Sequence, residues 1–84
     1  IIDKKILDEE TGSYTNELFQ KGIKEIAKKV TEEAGEVSIS AVTNDGRIVD
    51  ESADLLFHLL VLLRNQSLSI IDVINELEKR SINQ

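Results

Sequence analysis

The chain has 84 residues with neither cysteine nor proline, and sixteen acidic against ten basic side chains give a formal net charge of −6. A chain of this length forms one small domain, so residues 1–84 are predicted to be a single unit. The missing cysteines exclude disulfides and thiolate metal sites and fit the cytoplasm. The acidic balance argues against nucleic-acid binding, and the longest apolar run, Leu55–Leu63, falls far short of the ~20 residues of a membrane span.

The N-terminal third predicts two short helices. Apolar residues at positions 1, 2, 6 and 7 favour a helix over 1–8, and a turn is predicted at 9–13 around a glycine. Ser13 or Thr15 would then cap the next helix, and Gly22 predicts a break after it. Because the chain begins with isoleucine rather than methionine, we interpret it as a trimmed or excised segment.

A long amphipathic helix is predicted next. Its apolar residues recur at the three- and four-residue spacing of one helix face. They are Ile23, Ile26, Ala27, Val30, Ala34, Val37 and Ala41. Asn44-Asp45-Gly46 should end this helix, with Gly46 in a left-handed closing conformation.

A third helix is predicted from about Ile48 to Arg64, and its second half is apolar nearly all round. A helix of that kind must be covered on several sides, which predicts a partner subunit. Ser69 and Asp72 form a near capping box that opens the last helix. That helix is expected to bury Ile70, Ile71, Ile74 and Leu77. With few aromatic residues and no strand-like alternation, the predicted fold class is all-α.

Five acidic residues have the spacing of a metal site. Glu33 and Glu36 share one helix face, Glu32 is stacked on Glu36, and Glu51 and Asp54 share a face of the next helix. If the two helices pack antiparallel, four carboxylates can converge on one point, and such a cluster suits Mg²⁺ or Mn²⁺. A solvated acidic surface explains the pattern about equally well.

Basic and hydroxyl side chains nearby have two interpretations each. Lys28 and Lys29 could bind a phosphate, or they could pair with the glutamates that follow them. His58 could orient a carboxylate, act in acid–base chemistry or ligate the metal. A structural role, or one of orienting a metal ligand, is favoured because imidazole is a poor Mg²⁺ ligand. Three hydroxyl residues in a row, 13–15, suggest contacts to a ligand, although helix capping accounts for the first and third.

These segments resemble a known family. The pattern Glu32-Glu33-x-x-Glu36 followed by Glu51-x-x-Asp54 is similar to the signature of the MazG-type all-α nucleotide pyrophosphohydrolases. Longer segments are similar to the phosphoribosyl-ATP pyrophosphohydrolases of histidine biosynthesis. They are Gly12-Ser13-Tyr14-Thr15, Leu18-Phe19-x-Lys21-Gly22, Lys28-Lys29-Val30-x-Glu32-Glu33-Ala34-x-Glu36-Val37, Ala53-Asp54-Leu55-Leu56-Phe57-His58-Leu59-Leu60-Val61-Leu62-Leu63 and Leu68-Ser69-x-x-Asp72-Val73. The hydroxyl segment at 13–15 and the run at 53–63 are the more specific of them.

The resemblance implies an antiparallel helical bundle completed by homodimerisation. It also implies Mg²⁺-dependent hydrolysis of 1-(5-phosphoribosyl)-ATP to 1-(5-phosphoribosyl)-AMP and pyrophosphate. The implied metal ligands are Glu33, Glu36, Glu51 and Asp54, with Mn²⁺ as an alternative ion. The implied catalytic residues are Glu32, as the carboxylate that activates water, and Lys29. The implied substrate contacts are Ser13, Tyr14, Thr15, Lys28 and His58.

Three departures from the family pattern concern the substrate more than the reaction. Thr31 stands where glycine is frequent, Phe57 where tyrosine is usual, and the proline shortly before the hydroxyl segment is missing. Two alternatives therefore stay open: a house-cleaning nucleoside triphosphate pyrophosphatase of the same fold, and a non-enzymatic helical dimerisation module. The sequence leaves open whether the chain is free-standing or fused to the cyclohydrolase of the next pathway step.

Overall fold

The computed structural model describes residues 12–82, and in this part of the chain it contains four helices and no strand. They are α1 Gly12–Lys21, α2 Ile23–Thr43, α3 Ile48–Asn65 and α4 Ile70–Ile82. The predicted all-α class is confirmed, whereas the helix predicted over 1–8 lies outside the described residues. Among the described helices, none alone is long and apolar enough to cross a membrane; α3 and α4 reach that length only as a pair bent by 102°.

Gly22 separates α1 from α2, as predicted. Its φ of 91° is a conformation that favours glycine, and its N–H and C=O continue the hydrogen bonding to Leu18 and Ile26 at 3.2 Å each. The turn predicted over 9–13 is wrong at its end, because Gly12 and Ser13 already belong to α1. The first N–H groups of a helix have no partner within the helix, so a glycine is tolerated there. Ser13 and Thr15 therefore lie inside α1 and do not cap it.

The loop between α2 and α3 reverses the chain in four residues. Asn44, with φ 53° and ψ 46°, is the left-handed residue that closes α2, a conformation that asparagine tolerates. The prediction that Gly46 closes the helix is wrong, although Gly46 also has a positive φ, of 82°. The reversal places α2 and α3 side by side as the main packed pair, and α1 packs against α2.

The apolar core of the described chain is small. Only Leu18, Ile26 and Val61 are fully buried apolar residues in the part of the chain that the structure describes. Half-buried apolar side chains from α1 and α3 pack around them: Tyr14, Phe19, Phe57 and Leu62. So small a core supplies little of the free energy that a stable domain requires.

The inward face of α2 differs from the predicted apolar stripe. Buried and half-buried residues recur at 26, 30, 33, 37 and 40, which includes Glu33 and Ser40. Three alanines of the predicted stripe, at 27, 34 and 41, are exposed instead. The inward face of α3 likewise includes Glu51 and His58, which are 9% and 7% exposed. Polar residues thus occupy positions of the seam between α2 and α3 that a purely apolar pattern would miss.

α4 begins as predicted but its apolar face is not covered. The Ser69 N–H donates to Asp72 Oδ2 at 2.9 Å, and the Ile71 N–H donates to Ser69 Oγ at 3.2 Å, which completes the capping box. The predicted burial is wrong in the single chain for Ile71, Ile74 and Leu77, which are exposed, whereas Ile70 is half-buried. The radius of gyration, 14.6 Å, also exceeds the roughly 12 Å of a compact domain of this length.

Candidate metal centre

Three carboxylates meet where α2 and α3 run side by side. Glu33 and Glu36 lie one turn apart on α2, and Glu51 lies in the first turn of α3. One oxygen atom from each lies within 4.8 Å of the other two. The short reversal after α2 brings the beginning of α3 beside the second half of α2, and this produces the meeting.

The electrostatics of the three carboxylates favour a bound cation. Oε2 of Glu33 and Oε2 of Glu51 are buried and have no hydrogen-bond partner among residues 12–82. The pKa of Glu36 is raised from 4.5 to about 7, because its protonated form can hydrogen-bond to the carboxylates of Glu51 and Glu33, and because the negative charges of these two groups disfavour its ionisation. Buried charged oxygens without a partner are costly, and a hard divalent cation would satisfy them. The donor set therefore fits Mg²⁺ or Mn²⁺.

Asp54, the fourth predicted ligand, is not part of this group of three. It lies one turn after Glu51 on α3, and its side chain is exposed. Its backbone carbonyl accepts a hydrogen bond from His58 Nδ1 at 2.7 Å. Its predicted role as a ligand stays a prediction.

Glu32 lies outside the group as well and pairs with both lysines. Lys28 Nζ is 3.8 Å from Glu32 Oε1, and Lys29 Nζ is 3.6 Å from Glu32 Oε2. The pairing expected for Lys28 is thus present, whereas Lys29 contacts Glu32 rather than Glu33. Exposed pairs of this kind contribute little to stability, so the two cations remain available to a ligand.

Tyr14 connects α1 to the buried histidine of α3. Its hydroxyl lies 2.8 Å from His58 Nε2, and the tyrosine ring stacks on Phe57 with centroids 5.8 Å apart. A carbonyl oxygen cannot donate, so His58 Nδ1 carries the proton that bonds Asp54, and in the neutral ring Nε2 accepts from the Tyr14 hydroxyl. Burial raises the pKa of Tyr14, which keeps the hydroxyl protonated for this role.

His58 is accordingly held on both sides. Its two ring nitrogens are engaged within the chain, so its geometry matches the structural role that the sequence favoured over a ligand contact. The substrate contacts predicted for Ser13, Tyr14, Thr15 and His58 stay predictions. Ser13 is exposed and Thr15 half-buried in the first turn of α1.

Three residues that shape the surroundings of Glu51 were not among the predicted site residues. Ser40 Oγ and the Arg47 N–H both donate to Asp45 Oδ1, and the Arg47 guanidinium donates to Glu51 Oε1. The hydrogen bonds from Ser40 and Arg47 hold the pKa of Asp45 below its usual value. A cavity of about 180 Å³ opens here, lined by Glu36, Ile39, Asp45 and Glu51. Only the short spacing of polar residues after a helix end could have indicated this cluster.

Comparison with known proteins gives one consistent result. The family profile described as phosphoribosyl-ATP pyrophosphohydrolase matches residues 1–81. The phosphoribosyl-ATP pyrophosphatase of Pyrobaculum neutrophilum is 48% identical over 81 residues, which cover 95% of this chain and 86% of that protein. That of Listeria welshimeri is 48% identical over 79 residues, or 94% of this chain and 77% of that protein.

A fused relative is similar as well. The histidine biosynthesis bifunctional protein HisIE of Vibrio vulnificus is 52% identical over 69 residues, which are 81% of this chain and 33% of that protein. No solved structure matches the chain.

Proposed function

The chain belongs to the phosphoribosyl-ATP pyrophosphohydrolase family and is a pyrophosphohydrolase of histidine biosynthesis, and we propose that it works with Mg²⁺ held by Glu33, Glu36 and Glu51. Its reaction converts 1-(5-phosphoribosyl)-ATP and water to 1-(5-phosphoribosyl)-AMP and pyrophosphate. The observation that carries the metal proposal is the pair of buried, unpartnered carboxylate oxygens within this group. Mn²⁺ has the same ligand preference and is an alternative ion.

In this mechanism the three carboxylates would hold the cation. Nearby residues would accept a proton from the attacking water and bind the phosphates. When bound, Mg²⁺ would supply neutralisation of the phosphate charge and would make the attacking water more acidic. Asp54 supports the site from the next turn of α3, and Glu32 accepts the proton of the attacking water. The bond between the α- and β-phosphates breaks and pyrophosphate leaves. Lys29, at the edge of this region, holds phosphate oxygens.

The remaining substrate contacts are proposed for the first turn of α1 and for Lys28. Ser13, Tyr14 and Thr15 lie in the first turn of α1, and the Tyr14 hydroxyl already reaches α3. Burial of that hydroxyl, with Lys29 and Glu33 as charged neighbours, indicates that the first turn of α1 lies close to this part of α2. Lys28 is more exposed than Lys29 and would contact the substrate from the solvent side.

We also propose that the chain acts as a homodimer in the cytoplasm, as one domain over 1–84, without a nucleic-acid or membrane partner. The exposed apolar side chains of α3 and α4 support the dimer: Leu56, Leu60, Ile71, Ile74 and Leu77. An apolar surface of this extent on so small a core is typical of a chain that completes its core with a second copy.

Measurement of pyrophosphate release tests the proposed activity. Phosphoribosyl-ATP and a panel of nucleoside and deoxynucleoside triphosphates are compared with Mg²⁺ and with a chelator. We expect turnover of phosphoribosyl-ATP only with Mg²⁺. Preference for a deoxynucleoside triphosphate would instead support the house-cleaning alternative, and no turnover of any nucleotide would support the dimerisation module.

Two amide substitutions then test the ligands. Glu36→Gln and Asp54→Asn keep the side-chain size and remove one charge each, so we expect both to abolish turnover while the chain stays folded. Glu76→Gln is the matched control, since Glu76 is an exposed acid of α4 that pairs only with Arg80. Near-normal Mg²⁺-dependent turnover by Glu36→Gln would remove Glu36 from the ligand set, and the same result for Asp54→Asn would remove the supporting role of Asp54.

A further inference from the structure

Arg47 is fixed in place by the loop that joins α2 to α3. Its backbone N–H donates to Asp45 Oδ1 at 2.9 Å, and the same oxygen accepts a hydrogen bond from Ser40, which is only 2% exposed. The residues on either side of Asp45, Asn44 and Gly46, both have positive φ. These hydrogen bonds anchor the loop to the buried face of α2. The backbone of Arg47 is therefore fixed in position.

The guanidinium of Arg47 donates hydrogen bonds to Oε1 of the proposed metal ligand Glu51 and not to its Oε2. Nη2 lies 3.1 Å and Nε 3.3 Å from Glu51 Oε1, while Nη1 lies 3.6 Å from Asp50 Oδ2. Both donors that reach Glu51 end on Oε1. Oε2 is buried, has no partner and belongs to the residue that meets Glu33 and Glu36.

A contribution to folding does not explain this arrangement well. Asp50 and the Arg47 side chain are mostly exposed, and ion pairs at three- or four-residue spacing stabilise a helix by only about 0.2–0.5 kcal/mol. The two-donor contact does, however, restrict the rotation of the Glu51 carboxylate. Hydrogen bonds to a metal ligand set its orientation, and their loss typically weakens metal binding about 10- to 100-fold.

We propose that Arg47 is a positioning residue that holds Glu51 so that Oε2 faces the divalent cation. This role rests on the proposed metal site, because it concerns one of that site's three ligands. Arg47 touches neither the cation nor the substrate in this role. Its positive charge acts against cation binding, so orientation and charge have opposite effects on the affinity, and a measurement can tell which is larger.

Binding of Mn²⁺ to the full chain without substrate tests the proposal by calorimetry. Arg47→Met keeps an unbranched chain similar to the aliphatic part of arginine but removes both donors, and we expect the Mn²⁺ dissociation constant to rise about 10- to 100-fold. Arg47→Lys retains a charge and can donate to Oε1 without the two-donor contact, so it should recover part of the affinity. Asp50→Asn is the matched control, since it removes the other partner of Arg47 and should leave Mn²⁺ affinity unchanged.

Thermal unfolding in a chelator separates positioning from folding. A positioning role predicts that Arg47→Met unfolds within a few degrees of the unsubstituted chain when no metal is bound. Unchanged or tighter Mn²⁺ binding by Arg47→Met would overturn the role of Arg47 alone and leave the metal site standing. A large loss of metal-free stability would also overturn it, in favour of a structural role. Failure of the unsubstituted chain to bind Mn²⁺ would overturn the metal site and, with it, this role.

Discussion

The raised pKa of Glu36 predicts opposite pH dependences for metal-free stability and for metal binding. Without metal, the folded chain holds a proton on Glu36 up to about pH 7, whereas the unfolded chain releases it near 4.5. Between these two values the folded state binds more protons than the unfolded state. The contribution of Glu36 to the free energy of unfolding therefore falls as the pH rises through this window, and above about pH 7 the ionised cluster destabilises the fold.

The same proton competes with the cation. A cation binds the ionised carboxylate, so apparent Mg²⁺ affinity should rise with pH and level off above about 7. One unit below its pKa, roughly nine in ten Glu36 side chains are protonated. The apparent dissociation constant for Mg²⁺ should accordingly increase about tenfold for each pH unit below 7.

Two measurements check this prediction. Thermal unfolding is followed from pH 5 to pH 8 in a chelator, and Mg²⁺ is titrated at the same pH values. Glu36→Gln removes the titrating group, so its difference from the unsubstituted chain isolates the contribution of Glu36 from that of every other group. Glu76→Gln serves again as the control for a lost surface charge. Equal pH slopes for the Glu36→Gln chain and the unsubstituted chain would refute the assignment of the proton to Glu36.

Three further predictions concern the dimer and the scaffold. Leu60→Asp places a charge on the exposed apolar side of α3. An unpaired charge in the dimer interface costs several kcal/mol. Sedimentation should therefore show a dimer for the unsubstituted chain and a monomer for this variant. A monomeric unsubstituted chain with full activity would contradict the dimer. Tyr14→Phe leaves His58 Nε2 without its donor, and denaturant unfolding should show a loss of about 1–3 kcal/mol, while an unchanged midpoint would contradict the hydrogen bond. Ser69→Ala should lower stability by about 1 kcal/mol in the same assay, because α4 loses its N-cap acceptor; no loss would mean that the cap contributes nothing.

The helices were predictable from the sequence because their signals are local. Gly22 as a break and Ser69 with Asp72 as a capping box each depend on residues within one turn, and both are confirmed. The inward face of α2 was not predictable from apolar residues alone. Glu33 is half-buried in the seam between α2 and α3, whereas Ala34, which the hydrophobic pattern assigns to the inward face, is exposed. Glu33 lies there beside the carboxylates of Glu36 and Glu51, and a pattern of apolar residues does not indicate such a cluster.

Part of the candidate site was likewise predictable from the sequence, and part was not. The spacing of Glu33, Glu36 and Glu51 predicted their meeting, since helical periodicity and one reversal of the chain are enough to bring them together. The role of Arg47 had no such signal, because it depends on the conformation of a loop. A positive φ at Asn44 and a hydrogen bond from Ser40 to Asp45 decide where the guanidinium lies.

The carboxylates of the seam and the uncovered apolar faces have a common physical consequence. Glu33 and Glu51 take positions between α2 and α3 that apolar side chains would otherwise fill, so the pair loses apolar burial and gains repulsion between like charges. A cation in the seam would remove the repulsion, and a second copy of the chain would supply the missing apolar burial. Because each would bind only the folded chain, metal binding and dimerisation should stabilise the fold by an amount that rises with the logarithm of the Mg²⁺ concentration and of the chain concentration. If Glu33 and Glu51 hold the metal as proposed, the isolated, metal-free chain should be the least stable form of this protein.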